Sequence, residues 1–210
     1  MIKTNHIDSS KIDYVISKFI NKFSQPNILE FGVQSGSSTK KFLEICQINN
    51  GKLYSVDIHD YSNLFKDENW TFIQDRDDNF NAIKEKIPKK IDIIYLDTIH
   101  TAKHVQKIFH NYYEILNKSG LFIIDDISWL PYLKNSDFNN FFCEINNKET
   151  FDYLLNIYNS NLNNFELSFF FKHTGTAVIE KLTINKLNYP IETKTREYSL
   201  KNILRKNLNK

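Results

Sequence analysis

The chain has little of what builds a covalent or metal-clamped framework: only two cysteines, Cys46 and Cys143, occur among 210 residues. Two such residues supply no disulfide network, and their spacing matches no metal knuckle, so a reduced, cytoplasmic setting is expected. Long apolar runs are missing as well. No stretch approaches a membrane span in length, and the opening MIKTNHIDSSKIDYVISKF lacks the uninterrupted apolar segment of a secretory leader. Charge of one sign is also absent. The 27 lysines and arginines meet 25 aspartates and glutamates for a net +2, which gives no general polyanion signature and argues against a nucleic-acid partner. Glycine is scarce: there are five, and each stands where a turn is expected. What is present, 41% hydrophobic and 14% aromatic residues, suffices for one well-buried domain and requires no second.

The stretch NILEFGVQSGSST, residues 27–39, organises the rest. Ile28, Leu29, Phe31 and Val33 read as a strand, Gly32 and Gly36 permit a tight turn close to a ligand, and Ser37, Ser38 and Thr39 open a helix. Glu30 is an acid inside an apolar run. Burying it is costly without a partner, and at the end of a first parallel strand the expected partner is a ligand. The two glycines stand four apart, so the G-x-G-x-x-G needed to seat a pyrophosphate is absent.

Periodicity then gives a helix over Lys11–Phe23, capped by Ser9 or Ser10 and ended by Pro26, and a second over Ser38–Ile48. The strand KLYSVDI ends at Asp57, which either holds the ribose hydroxyls of an adenosine or caps the next segment. WTFIQ is a third strand followed by Asp75, after which Asp77 or Asp78 caps a helix through Ile87. IDIIYLD is apolar enough for a central strand and ends at Asp97, with His100 three residues on and a helix over Thr101–Asn117. LFIIDDI follows Gly120 and ends in Asp125 and Asp126. Three carboxylates thus arrive at the ends of two strands expected to be neighbours. They either bind a hard divalent cation, magnesium first, which removes their repulsion, or serve as caps and loop ties. His59, His104, His110 and His173 have no evident partner in the sequence. Trp129, Tyr132, Phe138, Phe141 and Phe142 either form a substrate lid or cover the sheet. Glu149–Tyr158 reads as a helix, and FELSFFF with TAVIE as an antiparallel hairpin around Gly175.

The acid, glycine and glycine spacing of Glu30, Gly32 and Gly36 resembles the first motif of class I S-adenosylmethionine-dependent methyltransferases. The ordered strand-end acids strengthen that resemblance over Pro26–Glu180. It implies a Rossmann-like doubly wound α/β sheet of seven strands, the last antiparallel, with helices on both faces. It further implies that Glu30, Gly32, Gly36, Ser37 and Ser38 hold the cofactor's amino-acid end, Asp57 its ribose and Asp75 its adenine. The family commonly has a glycine before that last acid; here the residue is Gln74. Asp97, Asp125 and Asp126 resemble the magnesium ligands of metal-dependent small-molecule O-methyltransferases of the catechol and macrocin types. His100 falls where the catechol type carries a lysine base. The segment LDTIHTAKHV resembles the D-x-x-H segment of a broader group that includes sugar methyltransferases and cephalosporin hydroxylases, whose second position is commonly glycine and is Thr98 here. The implied activity is methyl transfer to a hydroxyl of a small molecule, sugar or glycoconjugate, with Asp97 and His100 catalytic. A nicotinamide-dependent oxidoreductase, disfavoured by the glycine spacing, and a non-catalytic nucleotide-binding protein are the alternatives.

Residues 1–180 are expected to form the catalytic domain and 181–210 a basic extension, with eight cationic against two acidic residues. Leu200, Ile203, Leu204 and Leu208 place an apolar stripe there. Packing on a second copy of the chain, or fraying, is favoured over nucleic-acid binding.

Overall fold

Consecutive apolar residues need cover on both sides, and a central parallel strand provides it. β1 (Asn27–Phe31) has Ile28, Leu29 and Phe31 fully buried, and β4 (Ile91–Leu96) runs IDIIYL. The computed structural model, which describes residues 12–130, 141–192 and 199–208, places these two strands side by side in a seven-stranded sheet. The others are β2 (Lys52–Asp57), β3 (Trp70–Gln74), β5 (Leu116–Asp125), β6 (Phe165–Phe170) and β7 (Thr176–Lys181). Their order is β3-β2-β1-β4-β5-β7-β6. β1 to β5 pair in parallel, and β7 runs antiparallel to both β5 and β6. This is the doubly wound sheet with a reversed last strand expected from the sequence. The chain reverses its direction of travel across the sheet between β1 and β4, the switch point at which such folds open a crevice.

Helices cover both faces: α1, a π-helical turn (Ile16–Ile20), α2 (Ser37–Asn49), α3 (Phe80–Lys84), α4 (Ala102–Tyr113) and α5 (Phe141–Asn159); α6 (Leu200–Leu208) comes last in the chain. On one face Ile28, Ile93 and Ile123 meet Ile20, Phe42 and Cys46. On the other, Leu29, Ile94 and Phe122 meet Phe109 and Tyr112 of α4 and Leu154 and Ile157 of α5. Among the described residues no helix is long and apolar enough to cross a membrane. Burial pushes the Cys46 thiol up to about 12, which leaves it without thiolate character.

Several boundaries differ from the sequence reading. α4 stops at Tyr113 rather than Asn117, because Ile115 accepts the Ile91 N–H and Leu116 opens β5 opposite Ile91. α3 stops at Lys84, and Asn79 occupies its N-cap; Asp77 and Asp78 are engaged elsewhere. The caps Ser9 and Ser10, and Tyr132 and Phe138, lie outside the described residues, as do the side chains of Phe141, Phe142 and Cys143. Trp129 packs on Phe151 and Phe171, with ring centroids at 4.0 and 5.5 Å. His110 also has a neighbour, stacking on Tyr189 at 5.4 Å.

Lys181, counted in the sequence as the first cation of a basic tail, is a core residue. It is 3% exposed, and its Nζ donates to the carbonyls of Tyr113 at 2.7 Å and Leu116 at 2.9 Å while lying over the Tyr113 ring. These carbonyls belong to the end of α4 and the start of β5, where neither element satisfies them internally. The chain then continues across the end of α5, where Asn188 N–H donates to Asn161 Oδ1 and Leu182 N–H to the Asn164 carbonyl. α6 buries none of its residues. Lys181→Met keeps the buried stem and removes the donor. It should lower stability by about 1–3 kcal/mol in urea unfolding with an unchanged slope, the usual cost of stranding buried acceptors. A loss below about 0.3 kcal/mol would show that the ammonium does not hold this junction.

Candidate active site

A cleft of about 400 Å³ opens over the carboxyl ends of β1, β2 and β4, within the range of about 300–1,000 Å³ typical of small-molecule sites. Its first wall is the turn after β1. Gly32 has φ +93°, and a Cβ there would lie 2.1 Å from the Asp97 carbonyl oxygen, so only glycine lets the turn after β1 pass this close to the end of β4. Gly36 has φ +74° at the N-cap of α2, and a Cβ there would press on the Phe65 ring at 2.8 Å. Gly32, Ser37 and Ser38 line the cleft.

Glu30 lies beneath this wall, fully buried. Alternation along β1 turns its side chain toward α2, and the register sets it beside Ser55 of β2. Ser38 Oγ donates to its Oε1 at 2.5 Å; Thr39 Oγ1 and Ser55 Oγ donate to Oε2 at 2.8 and 2.6 Å. Its partners are therefore three hydroxyls of the protein, and it is absent from the residues lining the cleft. Burial raises its pKa to about 7 against the lowering effect of those hydrogen bonds.

Five aspartates, Asp57, Asp75, Asp77, Asp97 and Asp125, line the cleft against one arginine, Arg76. Arg76 is itself paired with Asp78 at 2.9 Å and leaves the cleft strongly acidic. Asp57, at the end of β2, accepts the Val33 and Gln34 N–H groups on Oδ2, at 2.9 and 3.4 Å, and the His59 N–H on Oδ1 at 3.0 Å. Asp75 accepts the Arg76 N–H at 2.8 Å and the Asn79 amide at 3.0 Å. Asp77 is held by Thr98 and by His104, whose Nε2 lies 2.7 Å from its carboxylate, a partner for His104 that local pattern does not reveal.

At the other end of the cleft, β4 and β5 bring their acids together. Asp97, His100 and Asp126 offer ligand atoms within 4.8 Å of one another, the only such trio found among the described residues. His100 Nε2 lies 3.7 Å from Asp97 Oδ1 and 3.5 Å from Asp126 Oδ2. Asp126 reaches this position with φ +57°. Asp125, grouped with them in the sequence reading, stands apart from that trio. Its Oδ2 accepts from Tyr95 Oη at 3.1 Å and its Oδ1 from Thr176 Oγ1 at 3.1 Å. Tyr95, read in the sequence only as part of an apolar strand, lies within 3.4 Å of Asp97 Oδ2 as well. Burial, and the charges of Asp125 and Asp97, hold its phenol well above the ordinary range, so it stays a donor between two carboxylates. The period of two did contain this signal: Tyr95 pairs with Glu30 in register, on the face turned toward the polar row.

Residues 29–127 match the family model of a methyltransferase domain. No curated protein matches the sequence significantly. The fold is similar to that of MycE, a methyltransferase of the mycinamycin biosynthetic pathway solved with Mg and S-adenosylhomocysteine, at 20% identity and a TM-score of 0.61 over 85% of this chain. The match covers 51% of MycE, so the chain spans about half its length. It is also similar to a Staphylococcus aureus protein described as a caffeoyl-CoA O-methyltransferase (19% identity, TM-score 0.59, 86% of this chain and 85% of that one). A Podospora anserina methyltransferase bound to S-adenosylhomocysteine gives 13% identity and a TM-score of 0.56 over 87% and 89% of the two chains.

The raised Glu30 pKa makes stability depend on pH. The folded chain keeps the proton up to about 7 whereas the unfolded chain releases it near 4.5, so stability falls as pH rises through that window and levels off above it. The loss should be on the order of 3 kcal/mol in urea unfolding between pH 5 and 8, and Glu30→Gln should remove it. Equal pH slopes for the two proteins would overturn this assignment.

Proposed function

We propose that this chain is a class I methyltransferase, a reading supported by its sheet topology and by the domain match over residues 29–127, and that it moves the methyl group of S-adenosylmethionine to a hydroxyl of a small molecule, sugar or glycoconjugate. The observation that carries this reading is the acidic cleft at the switch point. A ligand with a sulfonium and an ammonium suits five aspartates and a pre-paired arginine; a pyrophosphate does not. MycE, whose fold is similar, has been solved with mycinamycin VI, which supports a small-molecule acceptor. The D-x-x-H segment, Asp97 to His100, supports the sugar class.

In this reading Gly32, Gly36, Ser37 and Ser38 shape the pocket for the cofactor's amino-acid end, with Glu30 acting through Ser38. Asp57, already oriented by backbone N–H groups, accepts from the ribose, and Asp75 from the adenine amine. The donor set at the far end fits a divalent ion, since carboxylate oxygens suit magnesium or manganese. Held by Asp97 and Asp126, such an ion would orient the acceptor hydroxyl and make it more acidic. Asp125 orients Asp97 through Tyr95. The hydroxyl oxygen attacks the methyl carbon in line as the carbon–sulfur bond breaks. Its proton passes to His100 Nε2, and S-adenosylhomocysteine departs neutral at sulfur.

Calorimetry should show S-adenosylhomocysteine binding at least about tenfold more tightly than NAD, a preference of about 1.4 kcal/mol. Equal affinities would favour the oxidoreductase instead. Turnover should vanish with a chelator and return with magnesium or manganese. In the metal-restored enzyme, His100→Ala should reduce kcat by roughly 10²–10⁴ with S-adenosylmethionine affinity nearly intact. Chelator-insensitive turnover removes the metal from the proposal, and near-normal kcat in the variant removes His100 as the base.

A further inference from the structure

The loop after β3 carries Asp75 and Arg76 to the edge of the cleft, yet it is tied less to the helix it enters than to α4. Asp77 is 9% exposed, and both its polar groups are held. Its carboxylate Oδ2 accepts from Thr98 Oγ1 at 2.5 Å and lies 2.7 Å from His104 Nε2, a side chain only 10% exposed. Its carbonyl accepts from Tyr112 Oη at 2.9 Å. Tyr112 is fully buried, with its ring edge-on to Phe31 of β1 at 4.7 Å and to Phe80 of α3 at 4.9 Å. Two residues of α4, eight apart and so on nearly one helical face, therefore grip one aspartate by its side chain and its backbone.

The same aspartate reaches the other wall. Thr98 stands next to Asp97, and its methyl carbon lies 3.4 Å from where a Cβ on Gly32 would be. The turn after β1, the loop after β3 and the loop after β4 therefore converge on Asp77, Thr98 and His104. Asp77 and Thr98 both line the cleft; His104 lies behind them. A nearly buried carboxylate–imidazole pair is a weak source of stability, because desolvation offsets most of its attraction. What such a pair supplies is a single geometry, and here the geometry concerns two walls of one crevice. The exposed pair of Lys107 with Asp78 ties the same loop to the same helix at the surface, where ion pairs contribute little.

We propose that Asp77 and His104 are positioning residues that hold the β3 loop against the β4 loop and so set the spacing between the walls that grip the nucleoside end of the cofactor. Thr98 completes the clasp: where the resembling D-x-x-H proteins commonly have glycine, its hydroxyl donates to Asp77. The inference rests on the cofactor reading above and concerns which residues shape that site.

The test is calorimetric titration with S-adenosylhomocysteine, together with steady-state kinetics and thermal melting, on the wild type, His104→Ala and His104→Gln. His104→Ala should weaken binding by about tenfold or more and raise the S-adenosylmethionine KM to match, with kcat at saturation within about threefold, since misplacement of a binding wall acts on affinity before chemistry. His104→Gln, whose amide can still donate to Asp77, should recover most of the affinity. A residue serving only the fold would lower the melting temperature and leave the affinity of the folded protein unchanged; that result overturns the proposal. If His104→Ala does not fold, Thr98→Val removes one hydroxyl at constant shape and should weaken binding by about threefold, unchanged affinity again being decisive against the clasp. Wild-type protein that does not bind S-adenosylhomocysteine at all would instead sink the cofactor reading, and this inference with it.

Discussion

A carboxylate without access to water must be met by donors, and the rest of the molecule is arranged around how Glu30 meets that demand. Its three hydroxyl partners come from two elements beyond its own strand: Ser55 on β2, and Ser38 and Thr39 in the first turn of α2. The interaction therefore joins β1, β2 and the start of α2 at the place where the chain makes its glycine turn. Were α2 to begin elsewhere, two of the three donors would be lost and a buried acid stranded, at a cost of several kcal/mol. The position of the cleft's first wall follows from that one requirement. Trp70 extends the row, its indole N–H donating to Ser55 Oγ at 3.0 Å.

The second organising feature is charge density. Acids delivered by four strand ends to one crevice repel one another, and the protein relieves the repulsion differently along its length. Toward β2 and β3 it uses fixed donors: backbone N–H groups for Asp57, an amide and a backbone N–H for Asp75, an imidazole and a hydroxyl for Asp77. Toward β4 and β5 it places the Tyr95 hydroxyl between Asp97 and Asp125 and the His100 ring between Asp97 and Asp126. One end of the cleft is pre-oriented by hydrogen bonds, as a binding site benefits from being. The other gathers carboxylates around an imidazole, the arrangement that suits a cation and a proton acceptor.

The order of the elements along the chain was legible without coordinates. Apolar runs broken by Asp57, Asp97 and Asp125 announced strands that end in acids, the amphipathic period announced α4, and the serines and threonine after the glycine turn announced α2. A parallel sheet buried on both faces writes itself as continuous apolar segments, and the switch-point rule then predicts where their ends gather. Boundaries were less legible. α4 lost its last turn because Ile115 and Leu116 bond to the edge of β4, a demand made by a strand distant in sequence. Lys181 looked like the first of a run of surface cations because its acceptors, the carbonyls of Tyr113 and Leu116, lie more than sixty residues away.

By itself, then, the sequence determined the doubly wound sheet, the tight glycine turn after the first strand, and the convergence of acids at one edge, because each of these follows from local pattern and from rules of chain direction. Tertiary structure alone decided how those acids divide their work. It turned Glu30 away from the cleft to three hydroxyls, separated Asp125 from the trio of Asp97, His100 and Asp126, placed Tyr95 between carboxylates, and gave His104 its aspartate. These are contacts between side chains 2 to 51 residues apart. Residue type and spacing along one element carry no record of them, since a carboxylate's role depends on which donors reach it and on whether water does.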